Sequence, residues 1–413
     1  MKISRYLIIA LLSSFSLTLL AQERTMTLQE CINLALESNL RMKADEVAIS
    51  KARELQGTAF DMEMTSLSLS QDPTSGGSPD NGITISQSLD FPTVYKARRN
   101  FLKAETTVAQ GKLRVTRNEV IRDVTSSYYK LLYIHRALEI LQAQDSVYRK
   151  FVNFAKVKCN VGETGNLELM NAERLYNENL IDMRKAVNAY HSAKLYMKQL
   201  IGVDVLITPA ETSLPIMQAE WGSAAVNFEQ TPIGSMYAAQ ADASQSNLKL
   251  VKQGYMPKFN VGFTSQLLFK GFNPYNVDRS RFSKGNFMGF EVGISVPLFW
   301  GGQKAKVKAA KREVELASIS QQWAKQQMDT EYHDCFNELL RAQEALNYFN
   351  VQGNRQAERM SQLSQISYEN GEIGYVEYVQ NQKAALDVQL QYAGAINDFN
   401  QAVIKMNYIK GNK

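Results

Sequence analysis

Cysteine, histidine and proline are scarce in this 413-residue chain, and each scarcity excludes something. The cysteines, Cys31, Cys159 and Cys335, lie far apart on helical patterns, an odd set without metal-like spacing, so they read as small buried apolar residues. The histidines, His135, His191 and His333, are scattered, and His333-Asp334-Cys335 points to different helix faces, which argues against a metal site. No phosphate loop, nucleophile elbow or dinucleotide fingerprint occurs. The chain reads as neither an enzyme nor a cofactor carrier, and nothing in it points to nucleic acid. Proline is absent from Val94 to Cys159 and from Gln303 to Asn370, which leaves two stretches free to be continuous helices of roughly 100 Å at 1.5 Å per residue. Beyond the first twenty residues no apolar run is long enough for a transmembrane helix, so any membrane crossing must be made another way.

Residues 1–21 have the form of a secretory signal peptide: a basic start (Lys2, Arg5), apolar runs from Tyr6 to Leu12 and Phe15 to Leu20, and expected cleavage after Ala21. No cysteine follows the cleavage point, so no lipidated N-terminus is expected. Removing the leader lowers the formal charge from +5 to +3, a balance that names no partner.

What the sequence does contain is a copy of itself. Val161-Gly162-Glu163-Thr164-Gly165-Asn166-Leu167-Glu168 recurs as Asn370-Gly371-Glu372-Ile373-Gly374-Tyr375-Val376-Glu377, 209 residues on. The offset continues downstream, with Asn188 falling on Asn397, Tyr190 on Phe399, Met197 on Met406 and Gly202 on Gly411. Upstream it drops by one residue, so Tyr128 meets Phe336 and Leu131-Leu132 meets Leu339-Leu340. Such repetition fixes the architecture. A Gly-x-x-Gly between two helical patterns is the tip of a helical hairpin, because glycine tolerates the left-handed conformation that ends a helix. The domain plan is a leader, a first repeat over 22–228 and a second over 229–413.

Each repeat also carries a pair of strands. Alternation runs at about 62–70 and 83–91, and again at about 258–268 and 287–296, with loops at Gln71–Gly82 and Lys270–Gly285. Each segment has roughly the ten residues that cross an outer membrane when tilted. Four strands cannot close a ring, since the smallest membrane barrels have about eight, so these must join strands of other subunits. A soluble four-stranded sheet is the alternative. Helices are expected at about 94–159, 164–201, 303–370 and 372–410, with further ones at Thr27–Phe60, opened by a Thr27/Glu30 capping box, and at Thr231–Tyr255. In the run from Gln303, apolar or small residues at Val307, Ala310, Val314, Ala317, Ala324, Met328, Tyr332, Cys335, Leu339, Ala342, Leu346 and Phe349 make a heptad-like seam, with Gln321 as its polar member.

The stretch Pro297-Leu298-Phe299-Trp300-Gly301-Gly302-Gln303-Lys304-Ala305-Lys306 resembles a signature of the outer-membrane efflux proteins, the TolC-like family. In that family proline marks the change from membrane strand to helix, and paired glycines relieve crowding at the bend. The first copy, Phe91-Pro92-Thr93-Val94-Tyr95-Lys96-Ala97-Arg98, keeps the proline but lacks the glycine pair. The strand-to-helix bends are therefore expected at Pro92, Pro297, Gly301 and Gly302. The resemblance implies a mainly α fold with a membrane β-barrel part, in which long hairpins form a trimeric α-barrel and four strands per protomer complete a twelve-stranded barrel.

It further implies a channel of the outer membrane that works with a periplasmic membrane-fusion adaptor and an inner-membrane pump of RND or ABC type. The partners are then two sister copies, adaptor, pump and outer-membrane lipid. The adaptor contact would lie at the tips, Val161, Gly162, Glu163, Thr164 and Gly165 with Asn370, Gly371, Glu372, Ile373 and Gly374. In this family acidic residues on the helix after the second tip line a closed periplasmic entrance. Their positions match Glu377 and Gln380, of which only the first is acidic. Basic residues (Lys96, Arg98, Arg99 and Lys103; Lys304, Lys306, Lys308, Lys311 and Arg312) follow the strands, and solvated helix surface, lipid headgroups or a cationic lumen would each account for them. A periplasmic adaptor or coiled-coil scaffold is the rival reading. An adaptor would show one hairpin within small β domains, and a scaffold leaves the alternating pairs unexplained.

Overall fold

A computed structural model of the chain describes residues 23–73, 79–163, 165–219, 226–266 and 288–411. The leader read at 1–21, the loop read at Lys270–Gly285, part of the loop at Gln71–Gly82, and Thr164 lie outside them. The described residues form β1 (Glu23–Met26), α1 (Leu28–Ser38), α2 (Leu40–Leu55), β2 (Ser66–Pro73), β3 (Pro79–Asp90), α3 (Pro92–Asn160) and α4 (Asn166–Ile201). Then follow β4 (Leu206–Pro209), α5 (Pro232–Lys252), β5 (Lys258–Gln266), β6 (Met288–Ser295), α6 (Gly301–Tyr348), α7 (Asn354–Glu369) and α8 (Tyr375–Lys410).

The chain divides into two compact units. One gathers the described residues up to Ala44, Arg114–Thr231 and those from Gln327 onward; the other is Asp45–Leu113 with Pro232–Gln326. Each unit therefore draws on both sequence halves. In the second unit the reason is strand pairing: the sheet order is β2-β3-β5-β6, so the hairpin of one half is bonded to the hairpin of the other. All three ladders are antiparallel.

The first strand starts later than its alternation suggests, at Ser66 rather than about 62. The Gln87 side chain explains why: its carboxamide Nε2 donates to the Glu63 carbonyl at 2.7 Å, and Thr65 Oγ1 donates to Gln87 Oε1 at 2.6 Å. A side chain thus takes the place of the ladder there.

In the first unit, β1 pairs in parallel with β4, Glu23 opposite Leu206 through Met26 opposite Pro209. Tyr128, fully buried, ties this ribbon to α3. Its hydroxyl donates toward the Met26 carbonyl at 2.9 Å, with the Glu211 carboxylate beside it, and accepts from the Ala210 N–H at 3.2 Å. Buried Asn400 on α8 works similarly, accepting from Met217 N–H at 2.8 Å and donating to the Pro215 carbonyl at 2.8 Å. The irregular segment is thereby fixed on the core of Leu339, Leu346, Ile396, Phe399 and Val403. Each such bond is worth about 1 kcal/mol net, and orphaning the buried groups would cost more.

Two expected helices are broken. Thr27 and Glu30 make the capping box, with Thr27 N–H on Glu30 Oε2 at 2.8 Å, but the helix they open stops at Ser38. Buried Asn39 takes extended backbone; its Oδ1 accepts from Arg41 N–H at 2.8 Å and caps α2, while its Nδ2 donates to the Leu200 carbonyl at 2.6 Å. A tertiary partner overrides the helical pattern. The run expected over 303–370 is likewise interrupted by a π turn at Phe349–Gly353. A Cβ at Gly353 would lie 2.8 Å from Phe349 Cδ1, so only glycine admits the ring that the wider turn swings across it. Otherwise the seam on α6 is its inner side: Ala310, Ala324, Met328, Tyr332, Cys335, Leu339 and Leu346 are buried, and the remaining members are half-buried. Cys31 and Cys335 are buried as expected, whereas Cys159 is only half-buried. Burial pushes the Cys31 thiol up to about 12 and that of Cys335 up to about 11, so both stay protonated at neutral pH.

The positive-φ glycines among the described residues are Gly162, Gly202, Gly371 and Gly411, two pairs related by the repeat. At Gly202, φ is +79° and a Cβ would sit 2.6 Å from the Ser38 carbonyl oxygen, whereas at Gly162, φ +77°, it would meet nothing within 4 Å. Gly162→Ala should therefore cost about 1 kcal/mol of conformational strain. Gly202→Ala adds a backbone clash and should cost at least about 2–3 kcal/mol. Thermal melting followed by circular dichroism in detergent tests the ranking; equal melting temperatures would show that the close approach at Gly202 carries no weight.

Candidate functional site

The sheet has two chemically distinct faces. Register sets Leu67, Ile85, Phe263 and Phe290 in one row across the four strands, and Leu89, Phe259 and Ile294 in another. Val261 and Val292 lie between them, Gln87 being the polar member of their row. The opposite face carries Ser66, Ser86, Gly262 and Glu291 in one row and Ser68, Thr84, Thr264 and Gly289 in the next. Hydroxyls and amides bond across it: Ser66 Oγ to Ser86 Oγ at 2.6 Å, Thr84 Oγ1 to Thr264 Oγ1 at 3.1 Å, and Asn260 Nδ2 to Ser295 Oγ at 2.6 Å.

The apolar face is largely bare. Leu67 is 72 % exposed, Phe290 83 % and Val292 77 %. A sheet in water puts its apolar face against a core and its polar face outward. This one has a polar face knit together and an apolar face exposed over most of its length, only its helix end being covered, where Phe91 stacks on Phe259 at 5.9 Å; among the described residues β2 and β6 each have one neighbour, leaving two unpaired edges.

The junctions between sheet and helices differ from each other. Pro92 is itself the first residue of α3, where its missing N–H costs nothing, and Val94 N–H bonds the Phe91 carbonyl at 2.8 Å. The Tyr95 hydroxyl accepts from Asp90 N–H at 3.0 Å, and its ring stacks on Phe60 at 5.3 Å. At the second junction Pro297 precedes the helix by four residues, and the Trp300 indole N–H donates to the Pro297 carbonyl. The expected crowding at Gly301 and Gly302 is not found among the described residues: neither has a positive φ, and a Cβ on either would meet nothing within 4 Å. The crowded glycine is Gly254, whose missing side chain leaves room for the Gln303 carboxamide that donates to the Val251 carbonyl. Of the basic residues, Arg98 pairs with Asp90 at 3.0 Å and Arg312 with Glu315 at 2.6 Å; Lys96, Arg99 and Lys304 are exposed and have no carboxylate partner among the described residues.

Both hairpin tips are built alike. Gly162 N–H bonds the Cys159 carbonyl at 3.2 Å and Glu163 N–H the Lys158 carbonyl at 3.0 Å; in the second copy Gly371 bonds Tyr368 at 3.1 Å and Glu372 bonds Ser367 at 2.8 Å. These are Schellman turns, in which a left-handed glycine lets its own N–H and that of the next residue cap the helix end. Gly165 and Gly374 play another part: both have extended backbone and stand as N-caps of α4 and α8. Side chains around the turns are exposed, including apolar Val161, Leu167 and Met170 at the first tip and Leu363, Ile366 and Val376 near the second. Glu377 and Gln380 are exposed on the first turns of α8.

Sequence reasoning missed what holds the tips together. Phe151 and Phe154 of α3 meet Tyr375 of α8 with centroids at 5.2 and 4.1 Å, and Tyr368 of α7 lies 5.1 Å from Tyr375 and 5.0 Å from Tyr378. Burial pushes the Tyr375 hydroxyl up to about 12, so the cluster stays neutral. The crowding of five aromatics near the two glycine motifs was the available signal. Next to it, buried Gln382 takes Ser361 Oγ at 2.7 Å and donates to the Ser361 carbonyl at 2.8 Å, closing α7 on α8.

The sequence pattern of the family described as outer membrane efflux protein matches residues 31–203 and 235–412. No curated protein matches the chain. Among solved structures, the outer-membrane channel OprN is 14% identical and superposes with a TM-score of 0.76, covering 94% of this chain and 90% of that one. The CmeC outer membrane channel of Campylobacter jejuni is 14% identical at a TM-score of 0.76, over 93% and 85%. The open state of the MtrE channel of Neisseria gonorrhoeae is 15% identical at 0.75, over 93% and 89%. At these identities the likeness shows the fold, and the family match shows the repeat a second time, once in each half.

The aromatic cluster makes its own prediction. In a double-mutant cycle, Phe154→Ala and Tyr375→Ala should couple by about 0.5–1.5 kcal/mol beyond their separate losses. Melting of the four proteins measures it, and additive losses would mean that the two rings do not meet.

Proposed function

Because the chain belongs to the outer membrane efflux protein family, and so serves as an outer-membrane channel of a tripartite efflux system, we propose the following assembly and division of labour among its parts. Three copies join their sheets edge to edge into one twelve-stranded barrel whose apolar face meets lipid and whose serine, threonine and glutamate face lines water. The observation that supports this best is the inverted sheet: an exposed apolar face, a bonded polar face and, among the described residues, two bare edges. Lipid offers no partner for an unpaired N–H or carbonyl, so such edges must close on other strands. A soluble scaffold or adaptor gives no reason for that face.

The long helices carry the conduit from the barrel into the periplasm, and the chain is exported by its leader at 1–21. The tips receive a membrane-fusion adaptor linked to an inner-membrane pump. Val161, Leu167 and Met170 at the first tip offer apolar contacts, and beside the second tip Met360, Leu363 and Ile373 line a cavity of about 410 Å³ with Arg359 at its wall. The fixed turn geometry presents these side chains on a rigid base, which lowers the ordering cost of docking. Glu377, repeated three times around an axis, would give the periplasmic entrance a ring of negative charge that draws cations, and Gln380 leaves that ring single. On this reading the exported compounds are toxic small molecules or metals.

Two results test this. Val292→Lys places a charge on the lipid side and should destabilise the folded protein in vesicles by about 2–4 kcal/mol. Glu291→Lys, one residue away on the watery face, should be tolerated. Urea titration in lipid compares them, and equal losses would refute the assignment of faces. In cells lacking the native channel, the pair Val161→Asp and Leu167→Asp should leave a trimer in the outer membrane yet abolish adaptor copurification and tolerance of toxic compounds. Unchanged tolerance together with a blocked secreted protein would overturn the resistance reading.

A further inference from the structure

The repeat builds one more feature twice. At the first strand–helix junction a cavity of about 510 Å³ has Phe60, Leu89, Pro92, Tyr95 and Phe259 in its wall, with Lys96 and Arg99 at its margin. At the second, a cavity of about 570 Å³ is lined by Tyr255, Val296, Pro297, Trp300 and Lys304. The two follow one recipe. Each has an aromatic residue from the short 3-10 turn before the strand pair (Phe60, Tyr255), a proline (Pro92, Pro297), an aromatic three residues later (Tyr95, Trp300) and a cation four residues beyond that (Arg99, Lys304). The last three correspond at a constant spacing of 205 residues. The junctions also share a Lys-Ala-basic triplet, Lys96-Ala97-Arg98 and Lys304-Ala305-Lys306, and diverge in where the helix begins and in the glycine pair. What has been kept is the pocket.

Its chemistry is amphipathic. Leu89 and Phe259 belong to the apolar face of the sheet, so the first cavity opens onto the surface assigned to lipid. The one carboxylate in its wall, Asp90, is already neutralised by Arg98 at 3.0 Å and Lys258 at 3.6 Å. Lys96, Arg99 and Lys304 are exposed and have no carboxylate partner among the described residues. An apolar trough rimmed by cations without counter-ions fits an apolar chain ending in an anion. A soluble phosphate would leave the aromatic wall in water, and a zwitterionic lipid would bring an ammonium to the cations.

We infer that each cavity seats an acyl chain of an anionic phospholipid, its phosphate held by Lys96 and Arg99 in one and by Lys304 in the other. The site rests on the reading of the sheet as membrane-embedded. It adds to that reading a preference among lipids, with two sites in every copy of the chain.

The test uses Trp300 as reporter. Trp221→Phe and Trp323→Phe leave it the sole tryptophan. The protein is reconstituted in phosphatidylcholine vesicles containing a small fraction of brominated phosphatidylglycerol or of brominated phosphatidylcholine. The anionic quencher should associate with Trp300 about fivefold more strongly than the zwitterionic one. Lys304→Gln should abolish the difference and Lys304→Arg should keep it. Native mass spectrometry reads the other site: Lys96→Gln with Arg99→Gln should lower the copurifying phosphatidylglycerol while the heat-labile trimer persists. Equal quenching by both lipids, or a preference that survives Lys304→Gln, or unchanged bound lipid in the double variant, would overturn the proposal. Quenching by neither lipid would instead refute the membrane placement of the sheet.

Discussion

An apolar sheet face left largely exposed is the constraint on which the rest of this protein depends. Burying a large apolar side chain is worth about 1.5–3 kcal/mol, so Leu67, Phe290, Val292 and their row neighbours are strongly unfavourable in water and favourable in lipid. The same lipid forbids the free edges of β2 and β6. One sheet therefore demands two things at once, a bilayer and other strands. A single chain cannot meet the second demand, because its two hairpins are already bonded to each other through β3 and β5. In the assembly proposed above, strands of other copies meet that demand.

Much of this could be read from the sequence because the repeat reports the same fact twice. A single Gly-x-x-Gly is weak; two in register with matching glutamates, followed by Gly202 and Gly411 at the same offset, are not. The left-handed glycines among the described residues are those four positions, and their geometry is set by local chain sterics that sequence encodes directly. The seam on α6 was readable for the same reason, since its burial follows from a period of three and four that no distant partner can alter. Strand alternation revealed two faces, and register, which needs the partner strands, revealed that the rows align.

What could not be read depends on distant partners. Asn39 looks like an ordinary polar residue within a helical stretch, and only the Leu200 carbonyl turns it into a helix break. Gly353 lies mid-helix without a turn signal, yet the Phe349 ring beside it widens one turn of the helix. The glycine pair at Gly301 and Gly302 misled in the opposite direction. Its expected crowding is absent among the described residues, and the glycine that yields space is Gly254, which faces Gln303 from another element. The aromatic cluster joins α3, α7 and α8, residues more than two hundred positions apart, and no local period can announce such a meeting.

The two copies have drifted unequally, and the pattern of drift separates two kinds of constraint. Positions kept in both are those where backbone geometry or a pocket is at stake: the left-handed glycines, the junction prolines, and the aromatic and cation that follow each proline. Positions that differ include the π turn of the second half, which α3 lacks. In the threefold assembly proposed above, a twofold repeat would not put its halves in identical surroundings, so side chains facing a sister copy would have no reason to match. Those facing solvent of one kind, lipid on one side of the sheet and water on the other, must match in both halves. The row of Ile85, Phe263 and Phe290 and the row of Ser86, Gly262 and Glu291 meet that demand across the seam between the halves, which is why the sheet, rather than the more closely copied helix tips, carries the functional reading.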